Sequence, residues 1–470
     1  MNMQIFKPHK FVQMLQSKAL NLFPNQTERR YATMKIMTTY KVKIKHHNHI
    51  FKQTVAIYRN AVDYLIDVCL KEWEDIETVE SSKERVNYVE KLIHQTKDNP
   101  NPKYDFDSKF YKFPSYLRRA VIQEAIGKIS SYRSNLKNWN ENPVGKQPSI
   151  PKAGFIYPTL YRDNMYNQLD TYQAEVKVFV RNTWDWVTID LRKSDIDYIN
   201  KRCSNRKKCA PTLQKRGKEW FLDFPFEESV KLSDTDIFNQ AIVAVDLGIN
   251  NPATVTVMKS DGTILGRHFC RLTKEQDSLN HAINRIKKAQ QHGTKHMPRL
   301  WARAKGINHD ISVKTAQFVA DIAAYYNADS IVFEHLDKKG KIRGDKKQRL
   351  HLWRCKEVQA IVTDKVHRMG MRVSHICAWN TSKLAFDGSG FVERNIGGNY
   401  SICRFTTDKI YNCDLSASYN IGARYFIREI LKSLTERKRL DIEAKVPQCS
   451  KRSTSTLSTL ISLNAVLASV

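Results

Sequence analysis

Acid is scarce in this chain of 470 residues: 48 Asp and Glu stand against 77 Lys and Arg, a formal net charge of +29. A surplus of that size repels itself unless a polyanion neutralises it, so nucleic acid is the expected partner. A long RNA would do this, with counterion release supplying affinity. Long apolar runs are missing too. No stretch of about 18 apolar residues occurs and the N-terminus does not read as a signal peptide, so neither a membrane span nor export is expected. There is also no disulfide framework. Nine cysteines, an odd number, are scattered along the sequence, which suits a reducing prokaryotic cytoplasm.

What is present in excess is clustered. One basic run, from Lys201 through Lys207 and Lys208, continues at Lys215-Arg-Gly-Lys. A second spans Arg285, Lys287, Lys288, Lys295, Arg299, Arg303 and Lys305. The third is Lys338, Lys339, Lys341, Arg343, Lys346, Lys347 and Arg349, interrupted by glycines and directly following Glu334. Charge runs are often solvated faces and nothing more, and that reading stays open for the first cluster. The third reads as a basic lid that admits single-stranded substrate through backbone contacts, without a base code. Arg118, Arg119 and Lys128, expected on a polar helix face, are further candidates for phosphate contacts. The aromatics near them, such as Tyr58, Trp73 and Tyr116, serve either base stacking or plain core packing.

Three acidic residues carry the chemistry. Asp246 closes an apolar β-like run, Ala241-Ile-Val-Ala-Val-Asp-Leu-Gly, Glu334 ends a second, Asp329-Ser-Ile-Val-Phe-Glu, and Asp414 opens a helical stretch. Between the first two lie a strand from Pro252 to Met258, an Asp-Gly turn, a strand from Thr263 to Phe269, and helices around Lys274–Gln290 and Asn308–Tyr326. A helix at about Leu350–Met369 and a strand at Met371–Ile376 follow. A crossover places the parallel strands side by side, so the carboxylates converge. Two Mg²⁺ ions held there, with Asp246 bridging and Glu334 and Asp414 each holding one, suit phosphodiester hydrolysis, because hard oxygen ligands suit Mg²⁺. Taken singly, a strand-end Asp is often a turn residue and a helix-initial Asp an N-cap.

The segments Val245-Asp-Leu-Gly-Ile-Asn-Asn-Pro-Ala, Ile331-Val-Phe-Glu-His-Leu-Asp, Trp379-Asn-Thr-Ser-Lys and Cys413-Asp-Leu-Ser-Ala-Ser-Tyr-Asn-Ile resemble the split RuvC motifs of the transposon-encoded TnpB proteins and the miniature type V CRISPR effectors. His309 also fits that pattern. The resemblance spans about Ala241 to Arg424 and is weaker before it. It implies an RNA-guided endonuclease that recognises a short DNA motif, opens the duplex and cuts with one RuvC site. The partners it implies are a guide RNA and target DNA, double- and single-stranded, with the protein a monomer or an asymmetric homodimer.

The chain departs from the family at the zinc knuckle, which usually has two CxxC pairs after the Thr-Ser. The first pair is absent and only Cys403 remains near the second. Tetrahedral zinc wants four thiolate or imidazole ligands, and His375, Cys377, Cys403 and Cys413 contain no CxxC pairing. No structural zinc is expected. The insertion reads instead as a hairpin held by Phe386, Phe391, Tyr400 and Phe405.

The fold class that the residues and this resemblance together imply is α+β multidomain: an RNase H-like RuvC core with a mixed sheet, preceded by what resembles the family's wedge β-barrel with an inserted helical recognition lobe. The expected divisions are an extension (1–34), the wedge barrel in two parts (35–50 and 148–240) around the lobe (51–147), the RuvC core with its lid (241–377), the degenerate knuckle (378–413), a RuvC helix (414–440) and a tail (441–470), whose segment after Lys451 is expected to be disordered or docked locally. Rival functions are a nuclease-dead RNA-guided repressor, against which the intact carboxylates argue, and an RNase H-fold transposase or integrase, which needs neither the basic lobe nor the split barrel.

Overall fold

The alternation of Val42 and Ile44 with Lys41, Lys43 and Lys45 sends the aliphatic pair into a core and leaves the lysines outward. This is strand β1 (Tyr31–Lys45) in a computed structural model that describes residues 31–46, 49–143, 145–161, 163–336, 352–396, 398–451 and 453–469. The described residues form two compact units, one within 35–228 and the other within 229–469.

In the first unit, α1 (Phe51–Lys71), α2 (Trp73–Thr78), α3 (Ser82–Ile93) and α4 (Ser115–Glu141) follow β1. Phe51, Val55, Tyr58, Val62, Leu65, Ile66 and Cys69 recur at helical spacing on α1, and all are buried. Tyr58 and Trp73 therefore belong to the core, whereas Tyr116 is 45% exposed. The chain then returns to strands: β2 (Tyr166–Gln168), β3 (Gln173–Val180), β4 (Thr183–Leu191), and, after α5 (Lys193–Cys203), β5 (Lys207–Lys208), β6 (Thr212–Arg216) and β7 (Glu219–Ser233). The seven strands make one sheet in the order β2-β3-β4-β1-β7-β5, with β6 also on β7.

The second unit is built on a five-stranded sheet of order β10-β9-β8-β11-β12, from β8 (Ala241–Asp246), β9 (Thr254–Lys259), β10 (Ile264–Phe269), β11 (Ser330–His335) and β12 (Arg372–Cys377). The first three are antiparallel neighbours, while β11 runs parallel to β8 and β12 parallel to β11. This is the RNase H arrangement. Gly262, at φ +90°, makes the expected Asp-Gly turn between β9 and β10.

Period-2 alternation splits the sheet's side chains between two cores. Val243, Val245, Val255, Val257, Ile331 and Phe333 face one way, with Val319, Ala320 and Ala323 of α7 (Pro298–Tyr325) and Val358, Val362 and Val366 of α8 (Cys355–Arg368). Ile242, Ala244, Met258 and Val332 face the other, with Tyr419, Ile421 and Phe426 of α9 (Cys413–Ser433). A Cβ on Gly422 would lie 2.7 Å from Met258 Sδ and 3.3 Å from Ala244 Cβ, so glycine lets α9 come this close to the sheet without displacing Met258.

The helix expected from Asn308 begins ten residues earlier, at Pro298, because a proline at the first helical position needs no amide partner. It forms a hairpin with α6 (Thr273–Gln291), sealed by Ala282, Ile286, Met297 and Ala304. Beyond α9, α10 (Glu436–Lys445) leads to α11 (Leu457–Ala468), whose Leu457, Leu460 and Leu463 are buried in the α9 core. The tail is thus docked. Thr456 starts α11 with a capping box to Thr459. Among the described residues no helix is long and apolar enough to cross a membrane.

Candidate functional site

The strand alternation decides where two of the three carboxylates go. Asp246 shares its face of β8 with Ile242 and Ala244, and Glu334 shares its face of β11 with Val332. Both therefore project toward α9. The parallel register pairs Phe333 with Val245, so Glu334 and Asp246 stand one step further on, on neighbouring strands about 4.8 Å apart. Asp414 enters from the first turn of α9.

Asp414 does not cap its helix. Asn412 does: its side-chain oxygen accepts from Leu415 N at 2.9 Å. That leaves the Asp414 carboxylate free beside a helix N-terminus, where a negative charge is favoured.

The electrostatics tie the three together. Burial, then the charges of Glu334 and Asp414, push the Asp246 carboxyl well above the usual range, with Arg394 opposing. Burial likewise raises Asp414 against the pull of Arg394. Burial raises Glu334, opposed by the Thr381 hydroxyl, which donates to its carboxylate, and by Arg424. Carboxylates crowded in a poorly solvated place favour either a proton or a cation. The donor set, three hard oxygen ligands, fits a divalent ion such as Mg²⁺. As they stand, no group of three or more His, Cys, Asp or Glu among the described residues is close enough to hold one.

Arg394 is the site residue that sequence reasoning missed. It lies on β13 (Glu393–Ile396) of a three-stranded sheet with β14 (Asn399–Arg404) and β15 (Ile410–Asn412), and its Nη2 donates to Ser382 O at 2.6 Å. No motif flags it; only the folding of this insertion back toward Asp414 does. In the same insertion the aromatic grouping differs from expectation. Phe386 packs on Phe405, Tyr411 and Tyr419 at ring separations of 5.5, 5.0 and 5.1 Å, whereas Phe391 is 63% exposed. Placed at the end of a bridge to Leu384, Phe391 points off the cluster, and Tyr411 takes the inward position. The Tyr400 side chain lies outside the described residues. The buried thiols of Cys403 and Cys413 meet each other, and burial pushes Cys403 up to about 12. Cys377 is exposed at the end of β12.

The basic candidates fare unequally. Arg285 and Lys288 are exposed on α6. Lys207 is exposed, while Lys208 lies 4.3 Å over the Phe224 ring and donates to Gln168 Oε1 at 3.2 Å. Arg118, expected on a polar face, is buried and bonded to Glu90 Oε1 at 3.2 Å. This departs from expectation because Glu90 of α3 satisfies it inside the helical bundle. Arg119 bonds the same carboxylate at 2.6 Å and Asn87 at 2.8 Å. His309 meets Glu357 Oε1 at 2.9 Å across α7 and α8. Lys338, Lys339, Lys341, Arg343, Lys346, Lys347 and Arg349 lie outside the described residues.

Residues 38–180 match the Aq_aa04 family. An uncharacterized protein of Aquifex aeolicus (strain VF5), aq_aa04, is 31% identical over 128 residues, covering 25% of this chain and 71% of that protein. The TnpB-like protein aq_aa05 of the same organism is 23% identical over 233 residues, 44% of this chain and 74% of its own length. Among solved structures, the cryo-EM Cas12f1–sgRNA–target DNA complex has a TM-score of 0.49 and 13% identity, covering 79% of this chain and 81% of that one.

Proposed function

We infer that this chain, which belongs to the Aq_aa04 family and is a relative of TnpB-like proteins, is an RNA-guided DNA endonuclease that cuts through Asp246, Glu334 and Asp414. What supports the reading is that Asp246 and Glu334 lie on the face of an RNase H-type sheet that meets α9, that the charges of Glu334 and Asp414 both act on Asp246, and that Asn412 relieves Asp414 of the cap.

Asp246, Glu334 and Asp414 would hold the divalent ions. Two Mg²⁺ ions, when bound, supply a water nucleophile active at neutral pH and neutralise charge on the scissile phosphate. The protein's own groups do the rest. Thr381 Oγ1 donates to Glu334 and orients it, and Arg394 sets a positive charge beside Asp246 and Asp414 where a phosphate would arrive. The charge of +29 calls for a polyanion. Guide RNA and target DNA are the partners proposed, and pairing between them would supply sequence choice. Recognition of a short motif beside the target belongs to the same proposal. So does a lid role for the basic run from Lys338 to Arg349, which would act on the cutting rate more than on target affinity.

The test is purification with copurifying RNA, sequencing of that RNA, and cleavage of matched DNA in Mg²⁺. Asp246→Ala should abolish cutting and keep binding. Near wild-type cleavage by Asp246→Ala would show that the site is elsewhere. A matched target that is bound and never cut by the unaltered chain would favour a repressor, and strand joining without a structured RNA would favour a transposase.

A further inference from the structure

Helix α9 carries a buried polar edge directly behind the carboxylate site. Asn420 and Arg424, four residues apart and so on one helix face, are both buried. Asn420 Nδ2 donates to Thr381 O at 3.0 Å and to Leu384 O at 2.9 Å, while its Oδ1 accepts from Leu457 N at 3.3 Å. Arg424 Nη1 donates to Cys377 O and Trp379 O at 2.9 and 2.7 Å. Its Nε reaches Ser455 O at 3.0 Å and its Nη2 reaches Ser453 O at 3.1 Å.

Each side chain therefore has one half on the loop 377–384 and the other on residues 453–457. A direct strut, Ser458 N to Phe386 O at 2.9 Å, runs alongside. The loop is the one whose Thr381 hydroxyl holds Glu334. Burial draws the Arg424 guanidinium down to about 10 while Cys377 and Glu334 hold it up, so it stays charged at neutral pH. A buried guanidinium or amide that loses part of its partners is costly, so the loop and the C-terminal segment are set together or slacken together.

We propose that residues 453–468 are a positioning element of the carboxylate site, fixing the loop 377–384, and with it Thr381 and Glu334, by way of Asn420 and Arg424. Three leucines of α11 seat the segment in the α9 core, Asn420 and Arg424 pass its position on to the loop, and Thr381 delivers it to the carboxylate. The segment's effect on cleavage rests on the endonuclease reading; its effect on the loop does not.

The test compares the full chain, with its copurified RNA, to a chain ending at Lys451, with and without a peptide of residues 452–470 added back. Hydrogen exchange of residues 377–384 is read against β8 and β9, beside single-turnover cleavage and target binding. Truncation should speed exchange in the loop at least about tenfold while β8 and β9 hold. Cutting should slow by about 10²-fold at unchanged target affinity. The peptide should restore both. A loop that exchanges as in the full chain overturns the proposal, and so does a faster loop with undiminished cutting. A full chain that never cuts would sink the endonuclease reading alone, since loop exchange still decides the positioning role. Should the truncated chain fail to fold, Arg424→Lys in the full chain keeps the charge but not the four-way reach. Exchange should then rise both in 377–384 and in 453–458, and no change in either segment overturns the proposal.

Discussion

The two faces of the five-stranded sheet are made from the same strands and differ in nearly everything else. The face toward α7 and α8 is dry: Val243, Val245, Val257, Ile331 and Phe333 are buried among alanines and valines. The face toward α9 mixes Ile242, Ala244 and Val332 with the buried Thr256, Glu334, Ser418, Asn420 and Arg424. On the α7 and α8 side the buried polar residues, Asn308, Ser312, Thr315 and Gln359, belong to the helices, whereas β8, β9 and β11 present only apolar side chains there. Polar groups in a core cost stability unless they are satisfied, so strands that are apolar on one face and mixed on the other give the first to cohesion.

Changes on the two faces should therefore separate rate from stability. The largest effect belongs to Asp246→Asn and Glu334→Gln, which should lower single-turnover cleavage by at least about 10²-fold, the scale of losing one preorganised charge-stabilising group. Ile331→Ala, on the dry face, should cost about 2–5 kcal/mol in urea unfolding and leave the rate of the folded fraction near normal. A rate loss as large as that of Asp246→Asn would erase the distinction between the faces.

Arg394→Ala comes next, with a fall in cleavage of about tenfold, equivalent to 1.36 kcal/mol in the barrier. Because Arg394 is what opposes the upward push on Asp246 and Asp414, the acid limb of the pH–rate profile should also move to higher pH. A profile that stays in place while the rate falls would assign Arg394 to substrate contact alone.

Asn412→Ala should cost about 1 kcal/mol as a lost N-cap, read by thermal unfolding. It should also slow cutting, because Asp414 becomes the nearest side chain able to close the helix end. Asn412→Ser should recover both. Recovery of stability without recovery of rate would count against the division of roles between the two residues.

The smallest effect is one of sign. The Asp246 carboxyl is raised in the folded protein, so its contribution to stability is full below the unfolded value and is lost as pH rises through the folded one. Asp246→Asn without added metal should therefore unfold at higher temperature than the unaltered chain at neutral pH, by about 2–4 °C per kcal/mol, and the gap should close on acidification. A neutral-pH melting point below that of the unaltered chain would contradict the buried repulsion described for the site.

The parts of the site that could be read along the chain were those marked by a change of pattern. Asp246 and Glu334 end apolar runs, and Asp414 begins a helical one, so each stood at a visible boundary. Arg394 lies inside a short polar strand with no boundary and no motif, and only the return of that strand toward Asp414 gives it meaning. Arg118 misled for the opposite reason. Its helix has a polar face, but its partner Glu90 sits 28 residues earlier on another helix, and local pattern carries no information about such pairings. The docking of α11 was foreshadowed by Leu457, Leu460 and Leu463 at helical spacing, a signal obscured by the serines and threonines between them.

The registered ladder between β8 and β11 makes Asp246 and Glu334 the fixed jaw of a caliper. Hydrogen bonds between adjacent strands hold their backbones at one spacing, whatever occupies the gap between the side chains. Asp414 rides on a separate element, the end of a helix, and is the jaw that can be set. If the three hold divalent ions as proposed, differences in ion radius fall on side-chain rotamers and on that helix end. Under the endonuclease reading proposed above, tolerance for one divalent ion over another would be written less in the identity of the carboxylates than in how freely the first turn of α9 can travel.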